Sequence, residues 1–246
     1  MKIIGVIPAR LGSTRFPEKV IADIMGKPMI WWVWKQAKKA KLISDVFVAT
    51  DDKRIYDVVE GFCGKAVMTS KRHKSGTDRI AEAVKNIKAD IVVNIQGDEP
   101  LIRPDVLDKA VAPLIMDKGL VMSTLVCKVA DKKLMQDTNI VKVAVDKAGY
   151  ALYFSRSAIP SQARAESFEY FLKHIGVYVY RKDFLLKYVG MKQSGLEKTE
   201  KLEQLRVLEN GYKIKTVETK FDTVPVDTKA DLVKVVNILR KTGNKQ

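Results

Sequence analysis

Residues 2–19 read KIIGVIPARLGSTRFPEK, and this stretch decides the fold. Its first part, residues 3–7, is apolar on both faces and only five residues long, which is typical of a strand buried inside a parallel sheet. The loop that follows contains Arg10, Arg15 and Lys19, together with a glycine and two hydroxyl side chains. Ligands of open α/β sheets bind beyond the carboxyl ends of the strands, so we expect this basic loop to lie at a binding site.

Short strand patterns alternate with amphipathic helix patterns over the next hundred residues. The strand patterns cover residues 45–49 and 90–95, and the helix patterns cover residues 29–40, 55–62, 78–87 and 104–116. Thr77 is expected to cap the third of these helices. This alternation predicts an α/β fold, a doubly wound and mostly parallel sheet with helices on both faces.

The pattern changes after about residue 118, where strands follow one another with less helix between them. We predict strands at 120–129, 141–145, 150–154, 174–180 and 213–217, a hairpin turn at 146–149, and helices at 198–209 and 228–240. Asn210-Gly211 is expected to end the first of these helices. The chain is therefore predicted to form a single doubly wound domain over residues 1–246, with a smaller mixed, β-rich part inserted near 120–185.

Composition limits the classes of partner and of site. Lys and Arg exceed Asp and Glu by 44 to 29 among 246 residues, and the net charge of +15 favours anionic partners such as nucleic acid, lipid headgroups or nucleotides. The two cysteines, Cys63 and Cys127, form no C-x-x-C pair and are predicted to be buried thiols in a reducing cytosol. The sequence has no run of 18 apolar residues and no signal-peptide pattern at its start, so we expect a cytoplasmic protein without membrane insertion.

The basic loop has neither a G-x-G-x-x-G fingerprint nor a Walker motif. A phosphate would therefore be held by the side chains of Arg10, Arg15 and Lys19, unless the loop is only a solvated basic segment. Zinc and serine hydrolases are disfavoured because the sequence has no H-E-x-x-H, His–Cys cluster or G-x-S-x-G.

Two aspartates are candidate metal ligands. Asp98 follows the strand pattern at 90–95 in Gln-Gly-Asp, where Gly97 is expected to let the backbone turn sharply. A carboxylate at a strand end suits Mg²⁺, whereas a helix cap is disfavoured because Pro104 comes six residues later. Asp227 precedes the last helix, where a second Mg²⁺ ligand and an N-cap are both open.

Three further segments combine polar side chains with regular structure. Residues 75–79, SGTDR, enter a helix and indicate either a ligand contact at its N-terminus or a solvated helix start. In the strand pattern 174–180, His174 and Tyr178 share a face that would suit a polyhydroxylated ligand, and Tyr153, Phe154 and Arg156 are expected to meet it. Glu203 and Arg206 form an i,i+3 pair that spacing alone assigns to the surface, while Leu202, Leu205 and Leu208 are predicted to form the core stripe of their helix.

Together these motifs resemble one family over essentially the whole chain. They are, in order, IPARLGSTR, VATDD, SGTDR, NIQGDEP, VKVAVD, YALYFSR-x-x-IP, KHIGVYVYR, KLEQLRVLENG and VDT-x-x-DL. The chain resembles the 3-deoxy-manno-octulosonate cytidylyltransferases, or CMP-Kdo synthetases. The resemblance implies a fold of the nucleotide-diphospho-sugar transferase type, a cytoplasmic homodimer with a dimerising β-rich part, and dependence on Mg²⁺. The implied reaction transfers CMP from CTP to the anomeric hydroxyl of 3-deoxy-D-manno-octulosonate (Kdo), for lipopolysaccharide synthesis.

The resemblance also assigns roles by position. The residues implied to carry catalysis are Arg10, Lys19, Asp98 and Asp227, of which Asp98 and Asp227 would bind Mg²⁺. CTP would be bound by Pro8, Ala9, Arg10, Arg15, Lys19, Ser75, Arg79 and Gln96, and Kdo by Arg156, His174, Tyr178, Glu203 and Gln204. The chain departs from the family at Glu18, which stands where many members have glycine, so the backbone conformation of the loop is in question there.

Two other classes of function are open at this stage. One is a cytidylyltransferase for another 2-keto sugar acid, such as 8-amino-Kdo or a sialic acid. The other is a basic nucleic-acid-binding protein, for which the lysines of residues 35–41 and the tryptophans of residues 31–34 would be the contact surface. We predict that these tryptophans instead belong to the core or to an interface, and that nucleic acid is not a partner.

Overall fold

The computed structural model describes residues 1–12, 16–164 and 167–243. Within it the chain divides into two compact units. Unit 1 comprises Met1–Asp108 and Thr223–Gln246, and unit 2 comprises Lys109–Asp222. No helix in the described ranges is long and apolar enough to cross a membrane.

The secondary structure alternates strand and helix in its first half and is richer in strands afterwards. The first half contains β1 (Ile3–Ala9), β2 (Asp23–Ile24), β3 (Lys27–Pro28), α1 (Met29–Lys38), β4 (Asp45–Thr50), α2 (Lys53–Gly61), β5 (Lys65–Met68), α3 (Gly76–Val84), β6 (Ile91–Asn94) and α4 (Pro104–Met116), with a single 3-10 turn at Lys19–Ile21. The second half contains β7 (Met122–Val129), α5 (Lys132–Gln136), β8 (Lys142–Val145), β9 (Ala151–Ser155), β10 (Phe171–Arg181), α6 (Lys182–Val189), α7 (Gly195–Glu200), α8 (Leu205–Glu209), β11 (Lys215–Glu218) and α9 (Lys229–Gly243).

Unit 1 is built on a parallel sheet in the order β6-β1-β4-β5. The central strand β1 is buried along almost its whole length, which explains its continuous apolar pattern. Helices α1, α2 and α3 pack against the strands. The predicted α/β class with a mostly parallel sheet is confirmed. Strand β5 is an edge strand whose residues are exposed or half-buried, and its sequence carries no apolar run that would have predicted it.

Unit 2 contains a mixed arrangement of strands. β10 pairs antiparallel with β7, and β11 joins the other edge of β7 in parallel. β8 and β9 form an antiparallel hairpin, and β8 also pairs with β10. The turn predicted at residues 146–149 connects β8 and β9, with Gly149 at a φ of +76°.

The predicted helix over residues 198–209 is wrong, because it is interrupted by an irregular turn. α7 ends at Glu200, Lys201 takes a left-handed φ of 55°, and α8 begins at Leu205. The reason lies in tertiary contacts. Glu197 in α7 forms a buried ion pair with Arg206 in α8, a contact between residues nine positions apart that one continuous helix would not allow. Local periodicity does not contain that information.

Three smaller expectations also fail. Ser75, not Thr77, caps α3, because its hydroxyl accepts a hydrogen bond from the backbone N–H of Asp78 at 3.1 Å. Leu208 is only half-buried, although Leu202 and Leu205 belong to the core as expected. Cys63 is exposed, because it lies in the turn that follows α2, where it takes a left-handed φ of 60°. Cys127 is buried, as predicted.

Candidate functional site

Three charged side chains of unit 1 meet at the position expected for the site. The Lys19 Nζ lies 2.6 Å from the Asp98 Oδ2 and 3.1 Å from the Asp227 Oδ1. Lys19 opens the 3-10 turn, Asp98 follows β6, and Asp227 precedes α9. Two backbone contacts fix the arrangement, since the Lys19 Nζ also donates to the Val226 carbonyl and the Val226 N–H donates to the Asp98 carbonyl at 2.9 Å.

The electrostatics of this cluster favour a charged lysine. Burial by itself lowers the pKa of Lys19, but the carboxylates of Asp98 and Asp227 outweigh burial and raise it above its ordinary value. Lys19 is therefore an ammonium at neutral pH. The Lys19 ammonium thus contacts both carboxylates and offsets part of their negative charge.

The structure shows that Thr228, and not Asp227, caps α9. Thr228 makes the capping contacts at the start of α9: its hydroxyl accepts from the Asp231 N–H at 3.2 Å, and the Asp231 carboxylate accepts from the Thr228 N–H at 3.0 Å. Asp227 lies one residue earlier and directs its carboxylate to Lys19 instead. The capping interpretation of Asp227 is therefore wrong.

The chemistry of Asp98 and Asp227 fits a magnesium ion. Both carboxylates already contact one cationic group, the Lys19 ammonium, so their oxygens converge on a position that a cation can share. Among the described residues no group of three or more His, Cys, Asp or Glu side chains is arranged to hold a metal. A site with only two protein carboxylates is what Mg²⁺ accepts when substrate phosphates and water complete its coordination.

The basic loop closes on itself beside this cluster. The Glu18 N–H donates to the Leu11 carbonyl at 3.1 Å, and Glu18 has a left-handed φ of 56°. The departure from glycine therefore leaves the position in the conformation that glycine favours, and the Glu18 carboxylate contacts Arg54 at 2.6 Å. Arg10 is exposed at the end of β1. Arg15 lies outside the described residues.

Pro8, at the end of β1, is the point where two other predicted loops approach. A Cβ on Gly97 would lie 3.1 Å from the Pro8 carbonyl oxygen, and a Cβ on Gly76 would lie 3.3 Å from the Pro8 Cγ. Gly97 lies in a tight turn, as expected, which the Glu99 N–H closes on the Gln96 carbonyl at 3.3 Å, and its lack of a side chain also permits the close approach to Pro8. Ser75 and Gln96 are thereby brought to the same end of the sheet as Ala9.

Arg79 is held inside the protein and is not part of a solvated helix start. It is only 4% exposed, and its guanidinium donates to the Thr69 hydroxyl at 2.6 Å and to the Asp51 carboxylate at 2.7 Å. These partners come from the ends of β4 and β5. Asp51 lies in the VATDD motif without an assigned role, and Thr69 had no signal in the sequence.

A second group of predicted residues lies in unit 2. The rings of His174 and Tyr178 are 5.3 Å apart, and that of Phe154 is 5.1 Å from His174, which confirms that these side chains share one face. A bulge in β10 brings both the Ile175 and Val177 carbonyls to Thr124.

His174 is neutral, and one of its nitrogens is already used. Burial lowers the pKa of His174 to about 3. The Thr124 hydroxyl donates its single hydrogen to the Val177 carbonyl at 2.7 Å, so at 2.9 Å it accepts from the His174 Nε2. The remaining Nδ1 is an acceptor. His174 therefore offers a ligand an acceptor and no donor.

Arg156 is fixed from two directions. Its Nε donates to the Glu200 carbonyl at 2.9 Å and its Nη1 to the Thr138 carbonyl at 3.1 Å. The Glu200 carboxylate accepts from the Arg156 N–H and from the Ser155 hydroxyl. Burial opposes ionisation of Glu200, but these hydrogen bonds lower its pKa. Glu200 is absent from the predicted set, and the Tyr153 hydroxyl turns toward it.

The turn between α7 and α8 carries Glu203 and Gln204. The Tyr188 hydroxyl donates to the Glu203 carbonyl at 2.7 Å. Gln204 is 3% exposed, and its buried Nε2 has no hydrogen-bond partner among the described residues. Burial, and then the nearby Glu203 carboxylate, raise the pKa of Tyr178, which stays a neutral phenol.

The prediction of a surface ion pair between Glu203 and Arg206 is wrong, because Arg206 is buried and forms an ion pair with Glu197 at 2.5 Å.

Comparisons with known proteins place these observations in context. The family model described as "Cytidylyltransferase" matches residues 4–214. The chain is 50% identical to a 3-deoxy-manno-octulosonate cytidylyltransferase of Geotalea uraniireducens, over 98% of this chain and 100% of that protein. It is also 50% identical to a protein of the same name from Chloroherpeton thalassium, over 98% and 99% of the two chains.

Two solved structures are also similar to this chain. A CMP:2-keto-3-deoxy-manno-octonic acid synthetase complexed with CTP is 42% identical and superposes with a TM-score of 0.94 over 98% of this chain and 99% of that one. A nucleotidyl transferase from Methanothermobacter thermautotrophicus is 15% identical with a TM-score of 0.64 over 98% and 99% of the two chains, which shows a likeness of fold alone.

Proposed function

The chain belongs to the family of 3-deoxy-manno-octulosonate cytidylyltransferases, and on this premise we propose that it transfers CMP from CTP to the anomeric hydroxyl of Kdo with release of pyrophosphate. It is a nucleotidyltransferase. The observation that carries the proposal is the convergence of Lys19, Asp98 and Asp227 beyond the end of β6, where phosphate and a divalent cation would be bound together.

Unit 1 supplies the groups proposed for CTP. Arg10 and Lys19 would neutralise the triphosphate and the departing pyrophosphate, since a guanidinium and an ammonium both bind phosphate oxygens. The cytidine would contact Pro8, Ala9, Ser75, Arg79 and Gln96. Because Asp51 and Thr69 hold the Arg79 guanidinium in place, Arg79 would bind without having to order its side chain. A phosphate role of Arg15 stays a prediction.

Mg²⁺ would be held by Asp98 and Asp227. When bound, it would offset the charge of the phosphates and lower the pKa of the attacking hydroxyl. The part of this chain is to keep the two carboxylates in place, and Lys19 does so by neutralising part of their charge.

Unit 2 supplies the groups proposed for Kdo, which has a carboxylate and several hydroxyls. Arg156 would bind the carboxylate as a fixed cation. The Gln204 Nε2 would donate to an oxygen of the sugar, because a buried amide nitrogen without a partner gains most from a ligand acceptor. The His174 Nδ1 and the Glu203 carboxylate would accept from hydroxyls, and the neutral Tyr178 can do either.

A direct attack of the Kdo hydroxyl on the α-phosphorus agrees with the side chains present. The buried thiol of Cys127 is a poor nucleophile, because burial and the nearby Asp222 carboxylate raise its pKa to about 11. Catalysis would then come from positioning and from neutralising phosphate charge. The comparisons do not favour the nucleic-acid-binding alternative, and Trp32 packs against the unit 1 core. The homodimer and the cytoplasmic location stay predictions.

The test is a substrate matrix. Pyrophosphate release is measured for CTP, UTP, ATP and GTP against Kdo, 8-amino-Kdo and a sialic acid, with Mg²⁺ present. We expect turnover with CTP and Kdo to exceed every other pair. Turnover with Kdo that is no faster than with a sialic acid would refute the acceptor assignment, and pyrophosphate release with another nucleotide alone would refute the donor assignment.

Two variants locate the acceptor groups within that assay. Arg156→Ala and Glu203→Gln should raise the KM for Kdo by about 10-fold or more, since each removes a charge-assisted hydrogen bond. The Kd of CTP, measured by calorimetry without sugar, should stay within about twofold. Arg240→Ala removes an exposed arginine of α9 and serves as the matched control. Unchanged Kdo kinetics in both site variants would contradict the proposed Kdo site.

A further inference from the structure

Lys142, at the start of β8, is a buried cation that the proposed reaction does not use. Its relative exposure is 0%, although lysine is among the residues least often buried completely. Its Nζ lies 2.7 Å from the Asp137 carbonyl, 2.9 Å from the Ile140 carbonyl and 2.6 Å from the Arg156 carbonyl. An ammonium has three hydrogens, so all three donors are used by backbone oxygens.

These contacts join two segments that are distant in sequence. Asp137 and Ile140 belong to the turn before β8, and Arg156 directly follows β9. The same turn contains Thr138, whose carbonyl accepts from the Arg156 Nη1 at 3.1 Å. Lys142 therefore holds the Arg156 backbone and also the turn that holds the Arg156 side chain.

The guanidinium of Arg156 is left with one uncommitted nitrogen. Its Nε is bound to the Glu200 carbonyl and its Nη1 to the Thr138 carbonyl, while its Nη2 makes no hydrogen bond to the residues that the structure describes. A guanidinium fixed at two nitrogens has lost most of its rotational freedom. It can then bind an anion at a lower entropic cost than a free arginine would pay.

We propose that Lys142 is a positioning residue that fixes Arg156 in the orientation needed to bind the carboxylate of the sugar acid. This inference rests on the proposed function and adds the group that prepares its acceptor site. The physical basis is the cost of burying an ammonium: only a full set of acceptors repays that cost, so the three carbonyls and Lys142 hold one another in a single geometry. Burial lowers the pKa of Lys142, as expected for a cation whose three donors all bind neutral carbonyls.

The test compares Lys142→Met with Lys147→Met. Methionine has a similar length but no donor, and Lys147 is an exposed residue of the β8–β9 turn, so its substitution controls for the loss of a lysine nearby. We expect Lys142→Met to lower kcat/KM for Kdo by about 10- to 100-fold, which is the scale of a displaced positioning contact. The Kd of CTP should stay within about twofold, and Lys147→Met should resemble the wild type.

A double variant separates positioning from a general loss of structure. If Lys142 acts through Arg156, the Lys142→Met change should alter kcat/KM for Kdo far less in an Arg156→Ala background than in the wild type. Equal fold-losses in the two backgrounds would overturn the proposal, as would wild-type Kdo kinetics in Lys142→Met. Should Lys142→Met not fold, Lys142→Gln keeps two of the three N–H donors, and the same two comparisons apply to it.

The two proposals fail in different ways. If the wild type releases no pyrophosphate from CTP and Kdo, the proposed function fails. If the wild type is active and Arg156→Ala impairs Kdo use but Lys142→Met does not, only the positioning role fails.

Discussion

The neutral, buried His174 makes the stability of this protein dependent on pH in a way that a single substitution removes. Its Nε2–H is donated to Thr124, and burial lowers its pKa to about 3. His174→Gln keeps an N–H donor near the Nε2 position but cannot be protonated in the same range. The comparison of wild type with His174→Gln therefore isolates one titration.

The size of the effect follows from the two pKa values. In the unfolded chain a histidine titrates near 6.5, and the folded His174 resists protonation down to about 3. The unfolded state thus binds a proton that the folded state does not. This contribution to stability is present above pH 6.5 and is lost as the pH falls toward 3. Each pH unit in that window costs about 1.4 kcal/mol, so the loss is about 2 kcal/mol at pH 5.

Two measurements check this value. The chain has two histidines, so its NMR spectrum has two imidazole Cε1–H signals, and the one missing in His174→Gln should not titrate between pH 5 and 8. Urea unfolding followed by circular dichroism should then show that the wild type loses about 2 kcal/mol more than His174→Gln between pH 7.5 and 5.

Thr124→Ser serves as the control for packing. It keeps the hydroxyl that His174 contacts and removes one buried methyl group, so it should lower stability by about 1 kcal/mol at every pH without changing the slope. The reasoning is refuted if the wild-type signal that His174→Gln lacks titrates near pH 6.5. It is also refuted if the wild type and His174→Gln lose stability in parallel as the pH falls.

Three further outcomes are expected. Asp98→Asn should lower turnover by at least ~10³-fold, because it removes the charge of a proposed metal ligand, and should change the free energy of unfolding by less than about 1 kcal/mol, because it keeps the size of the side chain. Near-normal kcat in Mg²⁺ would contradict the role of Asp98. Glu197→Gln should destabilise the protein by about 3 kcal/mol in urea unfolding, since it leaves the buried Arg206 unpaired, and a loss below about 1 kcal/mol would show that the pair is not needed. Glu18→Gly should change the free energy of unfolding by less than about 1 kcal/mol. Glycine removes the backbone strain of the left-handed φ, and this gain offsets the lost Arg54 contact and the greater entropy of the unfolded chain. A larger loss in urea unfolding would mean that the Glu18 side chain has another role.

Local sequence patterns were sufficient for the parts of the fold that depend on local chemistry. The buried strands of unit 1 have continuous apolar runs, and the turn at residues 146–149 contains the glycine that its positive φ favours. The interrupted helix between Gly195 and Glu209 was missed for the opposite reason. It depends on a buried ion pair between residues nine positions apart, which helical periodicity does not report.

The same division applies to the candidate site. Residues that follow strands, such as Asp98, were identified because the ends of parallel strands gather at one edge of the sheet. Their partners were not. Asp51 and Thr69 hold Arg79 across 28 and 10 residues of chain, and Glu200 contacts Arg156 across 44. Such pairs can be identified only once the topology is known, because no local sequence pattern links their members.

The close approach of two glycines to Pro8 explains why several motifs of this chain belong together. A side chain at Gly97 would press on the Pro8 carbonyl oxygen, which is a backbone atom, and one at Gly76 would press on the proline ring. The motifs IPAR, SGT and QGD therefore form one packed unit. Gly97 lies directly before Asp98, so a larger residue there would strain the backbone that carries the carboxylate facing Lys19. The effect of Gly97 on the cluster of Lys19, Asp98 and Asp227 is therefore steric.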